Sequence, residues 1–379
     1  MNVSPKRISN ALATQRLSLF AVLKKTSKGR ILEIDILRTI AILLVILANA
    51  LQIASRVPSI SSSQISADFA LLAAPLIFTG LSIFFFVSGF SLSVNKKTIN
   101  SRHDVFCFYK RRAVRILPLY WFFIIAVIIV SRPSFIQSLI FIAGLQALFY
   151  PTLINHDVYH FLSVLIIYYL LFPLIVFFAD YEKLLIVSLI PLLFFVVLLQ
   201  FGLTDPMLLE YYALFVGGVI AAKSGIYNKM RQIKSTLFSV FTALLSVMLL
   251  SLVTWGELHS SSAVLMSFLI NFCCVPLVLI ILYWATIYVK NFNAHLCAFF
   301  TFVAFSTFGV FFIFEPALQL LSNTFYFRFN IAGTTAVIIL VAFIPLLVVA
   351  GYLLQFLTNK LVNLGMKKRK DKKLSSVQT

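Results

Sequence analysis

Charged and strongly polar side chains are rare in the apolar stretches of this sequence, so those that occur there are the first candidates for chemistry. A charge inside hydrocarbon is costly and often marks a functional site. Asp35 and Arg38 begin the first apolar run; three residues apart, they share a helical face and can pair. Asn49 lies about 16 Å further along the same helix axis. The structural alternatives are an ion pair at the helix start and hydrogen bonding between helices.

Two further candidates, His160 and Glu315, can take up or release protons. His160 lies near the start of the fourth apolar run, where an imidazole can serve as a base or as an interfacial anchor. Glu315 lies inside the ninth run and is followed by Pro316. The proline frees a backbone carbonyl, and a carboxylate at that depth is costly unless it is paired or protonated. This combination predicts a functional role for Glu315.

A dense basic cluster precedes the third apolar run and contains Lys110, Arg111, Arg112 and Arg115. Such clusters commonly anchor the cytoplasmic end of a span, but this one is denser than anchoring requires. Arg111 and Arg115 are four residues apart and would share one face of a helix. Guanidinium groups match the geometry of phosphate oxygens. The cluster therefore predicts either simple anchoring or a cytoplasmic site for a phosphorylated donor.

The elements that must position these residues are predicted to be membrane-spanning helices. Of 379 residues, 61% are hydrophobic and 11% are charged, whereas soluble domains carry about 25% charged residues. A spanning helix needs about 20 apolar residues and pairs its own backbone groups. We therefore predict an all-α polytopic helix bundle of about ten transmembrane helices. The ten apolar runs are 36–54, 70–94, 116–130, 158–179, 184–201, 209–222, 237–255, 263–289, 298–321 and 331–357.

The distribution of positive charge predicts the orientation of the bundle. With ten spans and a cytoplasmic N-terminus, 27 of the 31 Lys and Arg residues fall on the cytoplasmic side, as the positive-inside rule requires. If an eleventh apolar run, residues 135–150, also crossed, 13 of those charges would move outside. We therefore expect 135–150 to form a short helix that dips into the bilayer or lies at its outer surface. Both termini are then cytoplasmic.

Three segments follow from this pattern. Residues 1–30 and 359–379 are expected to be basic cytoplasmic tails, and residues 31–358 a multi-pass domain of the cell membrane. The net charge of +19 is segregated to one membrane face, where anionic headgroups attract it; this argues against a nucleic acid as partner. No metal-ligand spacing occurs in the sequence, so no metal is expected.

Short motifs follow one another along the chain in a recognisable order. They are IDILRTIA at 34–41, FFFVSGF at 84–90, RRAVRILPLYW at 111–121, HFLS at 160–163 with YYLLFP at 168–173, FVGG at 215–218, and STFG at 306–309 with FEP at 314–316. In this order the chain resembles the acyltransferase-3 family of multi-span membrane O-acyltransferases. The resemblance covers residues 31 to about 358.

The resemblance implies transfer of an acyl group from acyl-CoA, with acetyl-CoA the expected donor, to a hydroxyl of a carbohydrate or glycolipid of the cell envelope. The donor would be cytoplasmic and the acceptor on the far side of the bilayer. Arg111, Arg112 and Arg115 resemble the family's basic motif before the third helix and would hold the CoA phosphates. Arg38 matches the family's first-helix arginine.

Two histidines of the family pattern are replaced here. Asn49 stands where many members carry a His eleven residues after the first-helix arginine, and Phe314 stands where a His often precedes Glu-Pro. An amide cannot act as a general base. One reading is an active enzyme with His160 as base, Glu315 as its partner or substitute, and Asn49 as a hydrogen-bond donor to the substrate. The others are a catalytically inactive relative that binds or moves a glycolipid, and a transporter.

The predicted topology can be tested with a single cysteine placed in the basic loop of residues 223–234. We expect a membrane-impermeant thiol reagent to leave this cysteine unlabelled in intact cells and to label it after permeabilisation. A cysteine introduced beside Arg132 serves as the control, because that position is predicted to lie outside. Ready labelling of the 223–234 loop in intact cells would contradict the ten-span arrangement.

Overall fold

The computed structural model consists of helices and their connections. It describes residues 31–55, 64–94, 99, 101–149, 160–177, 181–230, 232–233, 236–259, 263–329, 338–339 and 341–375, and no strand occurs among them. The predicted tail 1–30 lies outside these residues. The helices are α1 Leu32–Ser55, α2 Gln64–Val94, α3 Arg102–Ser131, α4 Phe135–Ala143, α5 His160–Phe177, α6 Tyr181–Gln200, α7 Met207–Glu210, α8 Tyr212–Lys223, α9 Ile226–Met230, α10 Thr236–His259, α11 Ala263–Tyr288, α12 Ala294–Phe329 and α13 Ile344–Ser375.

The helix lengths confirm the prediction of a multi-pass, all-helical membrane protein. Among the described residues, seven helices are long and apolar enough to cross a bilayer, namely α1, α2, α3, α5, α6, α12 and α13. The described apolar parts of α10 and α11 are shorter. The predicted run 209–222 is divided at Tyr211 between α7 and α8. The count of ten spans and the cytoplasmic location of both termini remain predictions.

The last helix differs from the predicted run in where it begins and ends. Helix α13 starts at Ile344, inside the predicted run 331–357, and continues to Ser375; residues 330–337 lie outside the described part of the chain. The basic segment after residue 358 therefore continues the membrane helix up to Ser375.

Helix α4 shows why residues 135–150 form a short element. The Ser134 side chain accepts the Gln137 N–H, the Gln137 side chain accepts the Ser134 N–H, and Gly144 ends the helix with φ of +72°. Nine residues give a helix roughly 14 Å long, which is too short to cross about 30 Å of hydrocarbon. The Tyr120 hydroxyl of α3 donates to the Phe141 carbonyl at 2.5 Å. The prediction of a short helix in this run is confirmed.

Helix α2 is the centre of the bundle because the described residues 81–90 are all buried. It packs against α1, α8 and α11. Its contact with α8 is made backbone to backbone at two glycines. A Cβ atom at Gly89 would lie 2.0 Å from the Phe215 carbonyl oxygen, and one at Gly218 would lie 2.0 Å from the Phe86 carbonyl oxygen. The FVSGF and FVGG motifs are thus the two halves of one close helix crossing.

A neighbouring glycine provides a matched test of this crossing. We expect Gly218→Ala to lower the thermal stability of the detergent-solubilised protein, because the added methyl group forces α2 and α8 apart at a cost of about 1–3 kcal/mol. Gly217→Ala is the control, since a Cβ at that position meets only Val275 Cγ1 at 3.8 Å. Equal melting temperatures for the two variants would show that the crossing does not need a glycine at 218.

Candidate active site

A cavity of about 380 Å³ lies among α1, α2, α3, α5, α12 and α13. This volume is within the range of small-molecule sites, roughly 300–1,000 Å³. Three of the four arginines predicted to bind a donor line it, and we call it the arginine cavity. Its arginines are Arg38, Arg112 and Arg115, and its other polar lining residues include Asp35, Ser88, Ser91, Tyr169, Thr307, Gln355 and Asn359. Arg111 is not among the lining residues, and its side chain is exposed.

Arg38 is held between two helices at the edge of this cavity. Its Nη1 lies 3.6 Å from Asp35 Oδ1, and its Nη2 donates to the Ser91 hydroxyl on α2 at 2.8 Å. The predicted pairing of Asp35 with Arg38 is therefore confirmed. Asp35 is buried, whereas the Arg38 side chain is 27% exposed. The pair fixes the guanidinium at the cavity while the carboxylate offsets part of its charge.

Arg112 and Arg115 are positioned by the start of α3. A capping box between Ser101 and Asp104 begins the helix and sets the phase of the arginines that follow. Arg112 lies between two aromatic rings, with its Cζ 5.8 Å from the Phe108 centroid and 5.7 Å from that of Tyr169 on α5. This cation–π contact orients the guanidinium.

The helical phase of α3 decides which arginines act together. Residues three apart share a helical face, so Arg112 and Arg115 both reach the cavity. The spacing of Arg111 and Arg115 suggested a different pair. Arg111 lies outside the cavity, on an exposed part of the helix. Three converging guanidinium groups can bind a ligand that carries several phosphates.

A layer of phenylalanine rings extends from the arginine cavity to the first turn of α5, which begins at His160. Phe84 and Phe308 line the cavity. Two further rings, those of Phe161 and Phe311, pack against Phe84. Their centroids lie 5.4 Å and 4.9 Å from the Phe84 centroid. Phe161 directly follows His160 in α5. We call these four rings the aromatic layer. Tyr169, on the cavity side, lies nine residues after His160, which is roughly 14 Å along the axis of α5.

His160 is paired with a carboxylate that sequence reasoning did not identify. His160 Nδ1 and Asp205 Oδ2 are 2.5 Å apart, and both side chains are buried, with 6% and 7% exposed. Asp205 lies in the connection between α6 and α7. An ionised carboxylate only accepts hydrogen bonds, so with Asp205 in that form Nδ1 donates. The arrangement leaves Nε2 as the nitrogen that can accept a proton from a substrate.

The other two predicted catalytic residues are Asn49 and Glu315. The Asn49 amide, partly buried on α1, donates from Nδ2 to the Val45 carbonyl of its own helix at 2.8 Å. Glu315 is part of α12, but its side chain lies outside the described residues, so its role remains a prediction. The carboxylate of Asp205 is bonded to His160, and the expected pairing of His160 with Glu315 stays a prediction.

Asp205 was missed because its local sequence has an ordinary structural reading. Thr204-Asp205-Pro206 stands between two apolar runs and is typical of a helix start. Nothing in the spacing connects it with His160, which is 45 positions away. Gln355 and Asn359 were missed for a related reason: two amides four residues apart in α13 are common on any helix. Their place at the cavity depends on the close contact between Gly309 and Gly351 that brings α13 against α12.

Comparison with known proteins identifies the family. The acyltransferase-3 family model, described as an acyltransferase domain, matches residues 31–355. This range contains the arginine cavity except for Asn359, and it contains the whole His160–Asp205 pair. No curated protein and no solved structure gives a match to the chain. The resemblance found in the short motifs is thus confirmed over most of the sequence.

The arginine cavity can be tested by comparing arginines of the same helix. We expect Arg112→Ala with Arg115→Ala to weaken acyl-CoA binding, since each loses a charge-assisted contact worth about 1.5–3 kcal/mol, or roughly 10- to 150-fold in Kd. Calorimetry on the purified protein would measure this. Arg111→Ala removes the same charge outside the cavity and should have little effect. Equal weakening by Arg111→Ala would indicate an effect of net charge rather than of the cavity.

Proposed function

The chain belongs to the acyltransferase-3 family, and on that premise we propose that it is an integral protein of the cell membrane that transfers an acyl group from acyl-CoA to a hydroxyl of an envelope glycan or glycolipid. Acetyl-CoA is the proposed donor. The observation that carries the proposal is the convergence of Arg38, Arg112 and Arg115 on one cavity within the matched range.

The proposed donor site is the arginine cavity. It is formed by the first turns of α1, the last turns of α2 and the basic part of α3. With both termini cytoplasmic, these helix ends face the cytoplasm, where acyl-CoA is available. The guanidinium groups would bind the phosphates, and the acyl end of the donor would point toward the aromatic layer.

The proposed acceptor approaches from the opposite side, where His160 begins α5. The acceptor hydroxyl oxygen attacks the thioester carbonyl carbon, a C–O bond forms and the C–S bond breaks. His160 Nε2 takes the hydroxyl proton, and the CoA thiolate leaves and is then protonated. General-base assistance of this kind contributes about 10²–10⁴-fold. In this proposal the acyl group and the hydroxyl meet at the aromatic layer, which extends from the donor cavity to the first turn of α5.

A second candidate function is favoured by one observation. Asn49 replaces the histidine that the family resemblance places there, and its amide is bonded to its own helix. If that histidine is indispensable, the chain is a catalytically inactive relative that binds or moves a glycolipid or an acylated product. A transporter unrelated to acyl transfer accounts less well for three arginines around one cavity.

The proposal is tested by incubating membranes that contain the protein with [¹⁴C]acetyl-CoA and analysing the glycan and glycolipid fractions. We expect label in one of these fractions, and none with membranes that lack the protein. His160→Ala should reduce transfer by about 10²–10⁴-fold, which is the contribution of a general base, while acyl-CoA binding stays unchanged.

The variant Asn49→His distinguishes the two candidate functions. In an active enzyme it should be tolerated or raise the rate, because it restores the usual family residue. Transfer by Asn49→His alone, with none by the parent protein, would support the inactive relative. Full turnover in His160→Ala would instead remove His160 from the mechanism and leave Glu315 as the candidate base.

A further inference from the structure

We propose that Asp205 is a positioning residue that holds His160 in the tautomer able to accept the proton of the acceptor hydroxyl. The inference rests on the proposed function and adds a residue to it. A neutral imidazole carries its proton on one nitrogen and accepts with the other. The contact of 2.5 Å between Nδ1 and the Asp205 carboxylate keeps the proton on Nδ1, so that the lone pair is on Nε2.

The two carboxylate oxygens of Asp205 make different hydrogen bonds. Oδ1 accepts the backbone N–H of Met207 at 2.8 Å, which satisfies a donor at the start of α7. Oδ2 is bonded to His160. A residue needed only to cap the helix would use one oxygen, and any of the usual capping side chains could do this. The second oxygen requires a carboxylate of this length directed at α5, because an amide has only one oxygen.

Hydrogen bonds to the Ala147 carbonyl hold the backbone around Asp205 in place. The Asp205 N–H donates to the Ala147 carbonyl at 2.9 Å, and the Thr204 hydroxyl donates to the same carbonyl at 2.8 Å. Thr204 and Asp205 are both buried. Two donors on one carbonyl fix the connection between α6 and α7 against the segment that follows α4.

That segment is tied in turn to the helix that carries His160. The Ala147 N–H donates to the Ser163 hydroxyl oxygen at 3.0 Å, and the Ser163 hydroxyl donates to the Gly144 carbonyl at 2.9 Å. Ser163 lies three residues after His160, on the same side of α5. A closed circuit of hydrogen bonds therefore runs from His160 to Asp205, Ala147, Ser163 and back along α5. The circuit fixes the carboxylate and the imidazole relative to each other.

The surroundings make this arrangement suited to proton uptake. When Nε2 accepts a proton, the imidazole becomes positively charged in a buried, mostly apolar site. Charges interact more strongly there than in water, so the adjacent carboxylate stabilises the imidazolium as it forms. This is the part played by the carboxylate in hydrolases that use a histidine as general base.

The test uses Asp205→Asn, which preserves shape and the cap but reverses the hydrogen bond. The asparagine oxygen can still accept the Met207 N–H, whereas its NH₂ group would donate to Nδ1. The proton then moves to Nε2, and the lone pair needed for catalysis is lost. We expect kcat for acyl transfer to fall by about 10²–10⁴-fold, with the KM for acyl-CoA and the melting temperature unchanged. Asp205→Glu should recover part of the rate.

Thr204→Val is the matched control, because it removes the second hydrogen bond to the Ala147 carbonyl, which supports the circuit, and leaves the His160–Asp205 contact intact. It should retain most of kcat. A loss as large as that of Asp205→Asn would show that the circuit, and not the carboxylate, matters for activity, and would overturn the proposal.

The tautomer can be measured without any activity assay. ¹⁵N chemical shifts of histidine-labelled protein, with the His160 signal assigned by its absence in His160→Gln, distinguish Nδ1–H from Nε2–H. We expect Nδ1–H in the parent protein and Nε2–H in Asp205→Asn. An Nε2–H ring in the parent, or undiminished kcat in Asp205→Asn, would overturn the role of Asp205 alone. Absence of transfer by the parent would count against the proposed function itself.

Discussion

Inside a bilayer, a polar group must find its partner within the protein, because lipid offers neither hydrogen bonds nor dielectric screening. Several pairings among the described residues follow from this constraint. Backbone groups are paired in helices, Arg38 is bonded to Asp35 and Ser91, and His160 is bonded to Asp205. Each pairing is also a geometric restraint, since a buried polar side chain that must keep its bond cannot change its rotamer freely. The requirement that makes polar residues costly in this protein thus also fixes their positions.

Helix α2 connects the two polar regions. On one side, Ser88 and Ser91 face the arginine cavity, and Phe84 belongs to the aromatic layer. On the other side, Phe85 stacks on Tyr211, just after α7, at 5.0 Å between ring centroids, close in sequence to Asp205. The glycine contact with α8 brings the backbones together and leaves no room for side chains between them. A shift of α2 would therefore change both the cavity wall and the support of the His160–Asp205 pair, although roughly 14 Å separates them along α5.

Much of this arrangement could be predicted from local properties of the sequence. Long apolar runs predict spanning helices, and Ser134 with Gly144 limits α4 at both ends. The spacing of Asp35 and Arg38 predicts their pairing, which one helix determines by itself. The choice between Arg111 and Arg112 could not be made in this way, because it depends on the rotation of α3 against α5. Asp205 was beyond local reasoning for the same reason: its partner is brought to it by the folding of the connection between α6 and α7 onto residue 147.

Position 49, where the family resemblance places a histidine, is an asparagine in this chain, and the contacts around it are consistent with another residue acting as base. Asn49 cannot act as a general base, and its Nδ2 donates to the Val45 carbonyl of its own helix at 2.8 Å. His160, in contrast, lies at the start of a helix with a buried carboxylate at 2.5 Å, as a base that becomes charged during reaction requires. A protein that needed only a buried polar anchor at residue 160 could use a neutral pair at lower cost, because an ionisable pair must be desolvated. Retaining a histidine and an aspartate there is more easily explained if proton transfer takes place at His160 than if the pair serves packing alone.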